Sequence, residues 1–334
     1  MPFHIETRKV QKTGGSSYIV SLPKVWIDKH HIEKNDTLGI LSQPDGNLLI
    51  TPQIDSEKIV KTKEIIVDEF EDNNYFFRIL IGAYIMGFSK IVIKSSKKFE
   101  PYIRDCINNF TQIAIGPEVV EESNNFIVIK DLLNPTEMPF EKTIKRMYIL
   151  VHDMHEDAIK AFETGNITLA EEVIKRDNDV DRLHWLIGRQ SHIALRDIIL
   201  CQKMGLTLEQ ANHFQQISRF LERVGDHAVR IAKNVLLIDY KRIEKGLIEN
   251  ILTASKISLD LLDKSLDAWL QKSILLANEN IEGINELISN TEKISLDTSN
   301  SVELSIAIGY IIESIRRTGE YAGDISEIII NNLV

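Results

Sequence analysis

Four carboxylates raise the first chemical question in this chain. Asp177 and Asp181 stand four residues apart in RDNDVDRLHW, and Glu222 and Asp226 repeat the step in RFLERVGDHAVRIA. On a helix, residues four apart are neighbours on one face. No lysine or arginine lies between the members of either pair on that face, so each pair repels itself. An oxygen-rich donor set of this kind suits a hard cation, or iron or manganese. The competing reading is a solvated acidic helix face, which needs no ligand. Asp153 and Asp157 form a third such pair. None of the nine histidines completes a Glu-x-x-His element, which disfavours a di-iron carboxylate bundle. The nearest approach is Asp181-x-x-His184, and His184 falls near an apolar stripe, where packing is the simpler role.

The elements that must hold these groups follow from periodicity. With Val224 as origin and about 100° per residue, Ile217, Phe220, Leu221, Ala228, Ile231 and Val235 gather on one side, while Glu222 and Asp226 lie about 160° away. Val173, Val180, Leu183 and Ile187 make a matching stripe, with Asp177 and Asp181 on its flank. If the two helices are antiparallel neighbours, the four acids converge on one outer ridge. Gly225 costs a helix about 1 kcal/mol against alanine; its use here is to let a neighbouring helix or a ligand approach the backbone.

The chain has 334 residues, 43% apolar, 26% charged and 7% aromatic, with a net charge of −10. That excludes a wholly basic nucleic-acid binder, but the charge is uneven. Residues 1–24 carry Arg8, Lys9, Lys12 and Lys24 against Glu6 alone, a basic head able to grip phosphate locally. Cys106 and Cys201 have neither disulfide nor metal spacing, which fits a reducing compartment. No secretory signal and no apolar run of about 18 residues is seen, so we expect a cytoplasmic protein without membrane insertion.

Three zones emerge, and the fold class expected is multidomain α+β. Residues 1–53 read as strands around Gly14-Gly15, a short helix opened by Pro23, and a hairpin at Asp45-Gly46. So small a unit buries little core alone, and a dimer is expected. Residues 56–132 alternate strand and helix as an α/β domain without a glycine-rich phosphate loop; its role is not legible. From 139 to 334 the pattern is helical and proline-free past Pro139, with helices expected at 141–163, 167–200, 208–237, 244–269, 273–289 and 300–332. LERVGDHAVRIA (221–232) and IRRTGEYAGDIS (315–326) mark a duplication of three-helix units. The copies differ at the chemistry, for Arg316 stands where the first has Glu222.

The segment ALRDIILCQKMGLTLEQANHFQQISRFLERVGDHAVRIAKNV (194–235) closely resembles the PhoU family of phosphate-uptake regulators, through Leu195-Arg196 and the string from Glu222 to Ala228, with Asp177 and Asp181 matching a further acidic motif. The resemblance spans about 139–334. It implies two three-helix bundles and a metal ion (iron, zinc or manganese) held on the bundle surface by Asp177, Asp181, Glu222 and Asp226. It also implies a phosphate transporter ATPase or a sensor histidine kinase as partner. Arg316, and NIEGINELI at 280–288, depart from the pattern in the second repeat.

The stretch KVQKTGGSSYIVSLPKVWIDKHHIEKNDTLGI (9–40) resembles an SpoVT/AbrB-type domain. That implies a swapped-hairpin homodimer that binds DNA through Arg8, Lys9, Lys12 and Lys24, with the Thr13–Ser17 loop offering backbone and hydroxyl groups to phosphates. The function expected is a non-enzymatic regulator of phosphate uptake acting on transcription. The alternative is an adaptor that inhibits a transporter or its kinase and uses the head only to dimerise.

Overall fold

The computed structural model describes residues 5–43, 46–52, 61–70, 72–240, 243–294 and 302–334. The chain divides into two compact units, Met1–Ile59 and Val60–Val334.

In the first unit, β1 (Gln11–Thr13) and β2 (Ser17–Ile19) form an antiparallel hairpin. Its turn uses Gly14 at φ +63°, a left-handed conformation that favours glycine. Pro23 precedes the short helix α1 (Lys24–Lys29), and β3 (Gly39–Ser42) pairs antiparallel with β4 (Leu48–Thr51). Asp45 of the expected turn lies outside the described residues. No described residue of this unit is buried. Tyr18, Ile40 and Leu48 are 70%, 66% and 64% exposed, so the described residues of the head include apolar side chains but form no core among themselves.

The second unit opens with a four-stranded mixed sheet in the order β5-β6-β8-β7. Here β5 (Thr62–Ile66) runs parallel to β6 (Lys90–Lys94), and β8 (Phe126–Asp131) is antiparallel to both β6 and β7 (Pro117–Glu122). At Val67 strand β5 gives way to a single 3-10 turn. Helix α2 (Asn73–Ile85) is capped by Asp72, and α3 (Pro101–Ile113) starts on its proline. Alternation sends Ile91, Ile93, Ile127 and Ile129 into a core with Phe76, Leu80, Ile107 and Phe110.

Seven helices follow among the described residues: α4 (Phe140–Thr164), α5 (Ile167–Ala194), α6 (Ile198–Lys203), α7 (Leu208–Val235), α8 (Lys245–Gln271), α9 (Ile274–Glu292) and α10 (Val302–Leu333). Local chemistry sets several boundaries. Gly165 ends α4 in the left-handed region, Asn166 caps α5, Thr207 and Gln210 form a reciprocal capping box on α7, and Ser273 caps α9. The helix expected over 167–200 is interrupted. It stops at Ala194, Arg196 Nη1 donates to the Met86 carbonyl at 2.6 Å, and Asp197 caps α6 by accepting from Leu200 N at 2.9 Å. A tertiary contact and a new cap win over helix continuity there.

Helices α4, α5 and α7 pack as one three-helix bundle and α8, α9 and α10 as another, with α7 against α10 and α4 against α8. One continuous apolar core runs through both. The sheet docks on the C-terminal half of α5, where the Trp185 and Phe77 rings meet edge-on at 6.4 Å. The buried Arg189 reaches Asp131 there, with Nη2 2.6 Å from Oδ2. Among the described residues no helix is long and apolar enough to cross a membrane.

Candidate functional site

The site is built by two apolar stripes. Val173, Val180, Leu183 and Ile187 of α5 are buried, as are Leu221, Val224, Ala228 and Ile231 of α7. Burying them fixes the rotation of each helix about its axis and turns Asp177, Asp181, Glu222 and Asp226 out along the α5–α7 edge. Asp177, Asp181 and Glu222 are half-buried and Asp226 is exposed. Gly225 lies beneath them. A Cβ there would stand 3.4 Å from Val180 Cγ1 and 3.5 Å from Val151 Cγ1, ordinary van der Waals contact, so the packing of α4 and α5 under the ridge leaves room for one.

The electrostatics show that the four acids share one field. Lost hydration, then the charges of Asp177 and Asp226, push the Asp181 carboxyl up to about 7. Lost hydration, then Asp226 and Asp181, push Glu222 up to about 7. Asp177 is raised by burial and by Asp226, and Asp226 by partial loss of hydration. Lys233 and Arg223 oppose these shifts from a distance, but neither forms an ion pair or a hydrogen bond with any of the four among the described residues. The third acidic pair behaves differently, since Asp157 is neutralised by Arg176. The ridge thus carries like charges with no ion-paired countercharge among the described residues, the condition under which a di- or trivalent cation is favoured. As the side chains stand, no three of the four bring donor atoms within 4.8 Å of one another. Repulsion spreads them, and an ion would have to draw them in.

A groove of about 780 Å³ opens beside the ridge, lined by Glu222, Asp226, His184, Arg219, His227 and Tyr321, among others. Burial lowers both His184 and His227 to about 4, so both rings are neutral near pH 7. His184 is engaged with Ser218 Oγ at 3.1 Å, in keeping with a packing role, while His227 Nδ1 is buried without a hydrogen-bond partner. Sequence spacing did not single out His227 or Tyr321. Tyr321 comes from the second repeat, and only the α7–α10 contact brings it to this groove.

The repeat explains why one bundle carries a ridge and the other does not. Gly319 packs against Leu287 and Leu261 as Gly225 packs against Val180 and Val151. In that register Asp177 and Asp181 correspond to Ile284 and Ile288, Glu222 to Arg316, and Asp226 to Glu320. Arg316 binds Glu320 Oε1 at 2.6 Å and Glu313 Oε2 at 2.7 Å, so a guanidinium already sits among the remaining acids. The two glycines should also respond oppositely to alanine. Gly225→Ala meets only ordinary contacts and gains helix propensity, an expected stabilisation of about 1 kcal/mol. Gly319→Ala places its methyl 2.2 Å from the buried Leu287 Cδ2 and should lose about 1–2 kcal/mol through overpacking. Urea unfolding of both variants tests the pair, and equal shifts would count against the register.

In the head, Arg8 pairs with Glu6, whereas Lys9, Lys12 and Lys24 are exposed and carry no ion pair among the described residues. Lys12 lies on β1 and Lys24 opens α1.

Comparison with known proteins adds independent findings. Residues 144–235, from α4 through α7, match the family profile described as PhoU domain. Residues 11–58 match that of the antidote-toxin recognition protein MazE, a bacterial antitoxin. A phosphate-specific transport system accessory protein PhoU homolog from Aquifex aeolicus is 33% identical over 151 residues, covering 45% of this chain and 66% of that protein. PhoU homolog 1 from Thermotoga maritima is 23% identical over 198 residues, covering 56% of this chain and 82% of that protein. The crystal structure of the phosphate transport system regulatory protein PhoU from Streptococcus pneumoniae superposes with a TM-score of 0.50 at 20% identity, covering 57% of this chain and 91% of that one. This last likeness concerns the fold.

Proposed function

Because the chain carries a PhoU domain behind a head of the MazE antitoxin type, we propose that it is a cytoplasmic, homodimeric regulator of phosphate uptake. Metal occupancy of its helical region governs what the head does on DNA. The observation that carries this reading is the ridge: four carboxylates without a countercharge on the PhoU domain, two of them held near pH 7. Asp177, Asp181, Glu222 and Asp226 are the residues that would hold iron, zinc or manganese. A bound ion supplies the missing positive charge and ties α5 to α7. The named relatives support phosphate transport as the setting, with a transporter ATPase or a sensor histidine kinase as the protein partner. We read the chain as a regulator and not as an enzyme.

Dimerisation of the head is supported by the lack of any buried residue among its described residues, because apolar side chains as exposed as Tyr18, Ile40 and Leu48 gain a core only against a second copy. DNA contact would then fall to Arg8, Lys9, Lys12 and Lys24 of two protomers. We expect the full-length protein to retard promoter DNA of phosphate-uptake genes at low salt. Lys9→Ala/Lys12→Ala should weaken binding and lower the salt slope by about two per head. The second reading, an adaptor whose head only dimerises the chain, is favoured by the small number of free basic groups and by Arg8 being spent on Glu6. A wild-type protein that is dimeric by light scattering yet shifts no DNA at low salt, with or without manganese, decides for the adaptor.

A further inference from the structure

The ridge is not the only place where ligating side chains gather. On α4, one face of the first bundle presents His152, Asp153 and Glu156, and their donor atoms all lie within 4.8 Å of one another. His152 Nδ1 is 3.8 Å from Asp153 Oδ1 and 3.8 Å from Glu156 Oε2. Ligands held about 2.1 Å from a common ion are about 3.0–3.5 Å apart. His152 Nδ1 therefore needs to close on each carboxylate by only a few tenths of an ångström, and the two carboxylates, within 4.8 Å of each other, are exposed and free to turn.

The other face of the same imidazole is what separates this cluster from a chance patch of acids. His152 Nε2 lies 3.4 Å from Asp263 Oδ1, on α8 of the second bundle. Tyr148 Oη donates to the same Asp263 oxygen, and its ring packs at 5.9 Å from the imidazole. Metal-bound histidines commonly donate their second ring N–H to a carboxylate that is itself hydrogen-bonded, which fixes the tautomer and strengthens the first nitrogen as a ligand. Here such a carboxylate, already bonded by Tyr148, stands 3.4 Å from Nε2, and a small turn of the ring completes the bond. With the proton on Nε2, held by Asp263, the lone pair of Nδ1 faces the two free carboxylates. We propose that His152, Asp153 and Glu156 form a divalent-cation site of one nitrogen and two carboxylate oxygens, best suited to zinc, with Asp263 and Tyr148 as its outer support. Through Asp263 the ion would couple α4 to α8, the first helices of the two bundles. The site shares no ligand with the ridge and stands whether or not the ridge binds metal.

The test uses the full chain with the ridge removed (Asp177→Asn, Asp181→Asn, Glu222→Gln, Asp226→Asn) and zinc as the probe in equilibrium dialysis. One zinc per chain should remain. X-ray absorption should show a single imidazole nitrogen among oxygen ligands. His152→Gln in that background should abolish the remaining zinc, and Asp263→Asn should weaken it about tenfold with unchanged stoichiometry. His152 is partly exposed, so its replacement leaves the core intact, which circular dichroism verifies. No bound zinc in the ridge-free protein, or zinc binding indifferent to His152→Gln, overturns the proposal.

Discussion

Without bound metal, the protein should lose stability as pH rises from about 4 to about 7, the reverse of the usual acid sensitivity. The cause is the ridge. Asp181 and Glu222 have ordinary values of 3.8 and 4.5, and both stand at about 7 in the folded chain. Between the ordinary and the raised values the folded state binds more protons than the unfolded state, so stability falls with rising pH across that window. Above about 7 all four acids are charged and the repulsion is complete. Because water reaches part of the ridge, the loss is discounted to on the order of 2 kcal/mol for the cluster as a whole. A cation acts in the opposite sense. It must displace the shared protons, so its affinity should rise steeply between about pH 6 and about pH 8, and its stabilisation should be largest at the alkaline end. Glu222→Gln removes one charge and one proposed ligand together. The variant should be more stable than wild type without metal at about pH 8, show a flatter pH profile, and bind manganese at least about tenfold more weakly. Thermal unfolding against pH, with and without manganese, supplies the measurement. A wild-type profile as flat as that of the variant, or equal affinity at both pH values, rules out the ridge as a metal site.

The second large effect concerns the joint between the sheet and the bundles. Arg189 and Asp131 are 3% and 8% exposed. The guanidinium donates to Asp131 Oδ2 from Nε at 2.9 Å and from Nη2 at 2.6 Å, and from Nη1 to the carbonyls of Tyr84 at 2.6 Å and Phe88 at 3.0 Å. It also lies 4.8 Å from the centre of the Tyr84 ring. One side chain on α5 thereby ties down the end of β8 and the turn that follows α2. Arg189→Met leaves a buried carboxylate without its cation and two carbonyls without a donor, and should cost about 3–5 kcal/mol. Adding Asp131→Asn removes the stranded charge and should return part of that loss, though Asp131 also accepts from Leu133 N at 3.0 Å. Urea unfolding measures the energy, and hydrogen exchange should show β8 and α2 losing protection before the bundles do. A loss under about 1 kcal/mol would mean that apolar contacts alone hold the sheet to α5.

Much of this was legible in the residues themselves. Breaks in the helical pattern placed helix ends within a few positions of the observed ones, where the caps at Asn166, Thr207 and Ser273 and the left-handed stop at Gly165 act over only three or four residues. The apolar stripes on α5 and α7 gave the face each helix buries and hence the outward flank carrying Asp177, Asp181, Glu222 and Asp226. The duplicated glycine-acid strings revealed the repeat, and the hairpin glycines gave the shape of the head. All of these depend on spacing within one element, which the sequence states outright.

What the chain order could not state is which distant residues meet. The break after Ala194 depends on Arg196 finding the Met86 carbonyl, a contact across 110 positions. Nothing near Arg189 announces that it will be buried against Asp131. The raised carboxyls arise only because α5 and α7 pack side by side, which concentrates four charges where hydration is reduced. Arg316 could be matched to Glu222 in the repeat itself, but the correspondence of Ile284 and Ile288 with Asp177 and Asp181 became visible only through the packing of Gly319 on Leu287. His152 meets Asp263 only because the two bundles share one core. Periodicity and capping are short-range and repeat with the backbone, so they survive in a linear reading; burial, charge and ligand geometry are properties of neighbours in space, and packing alone decides them.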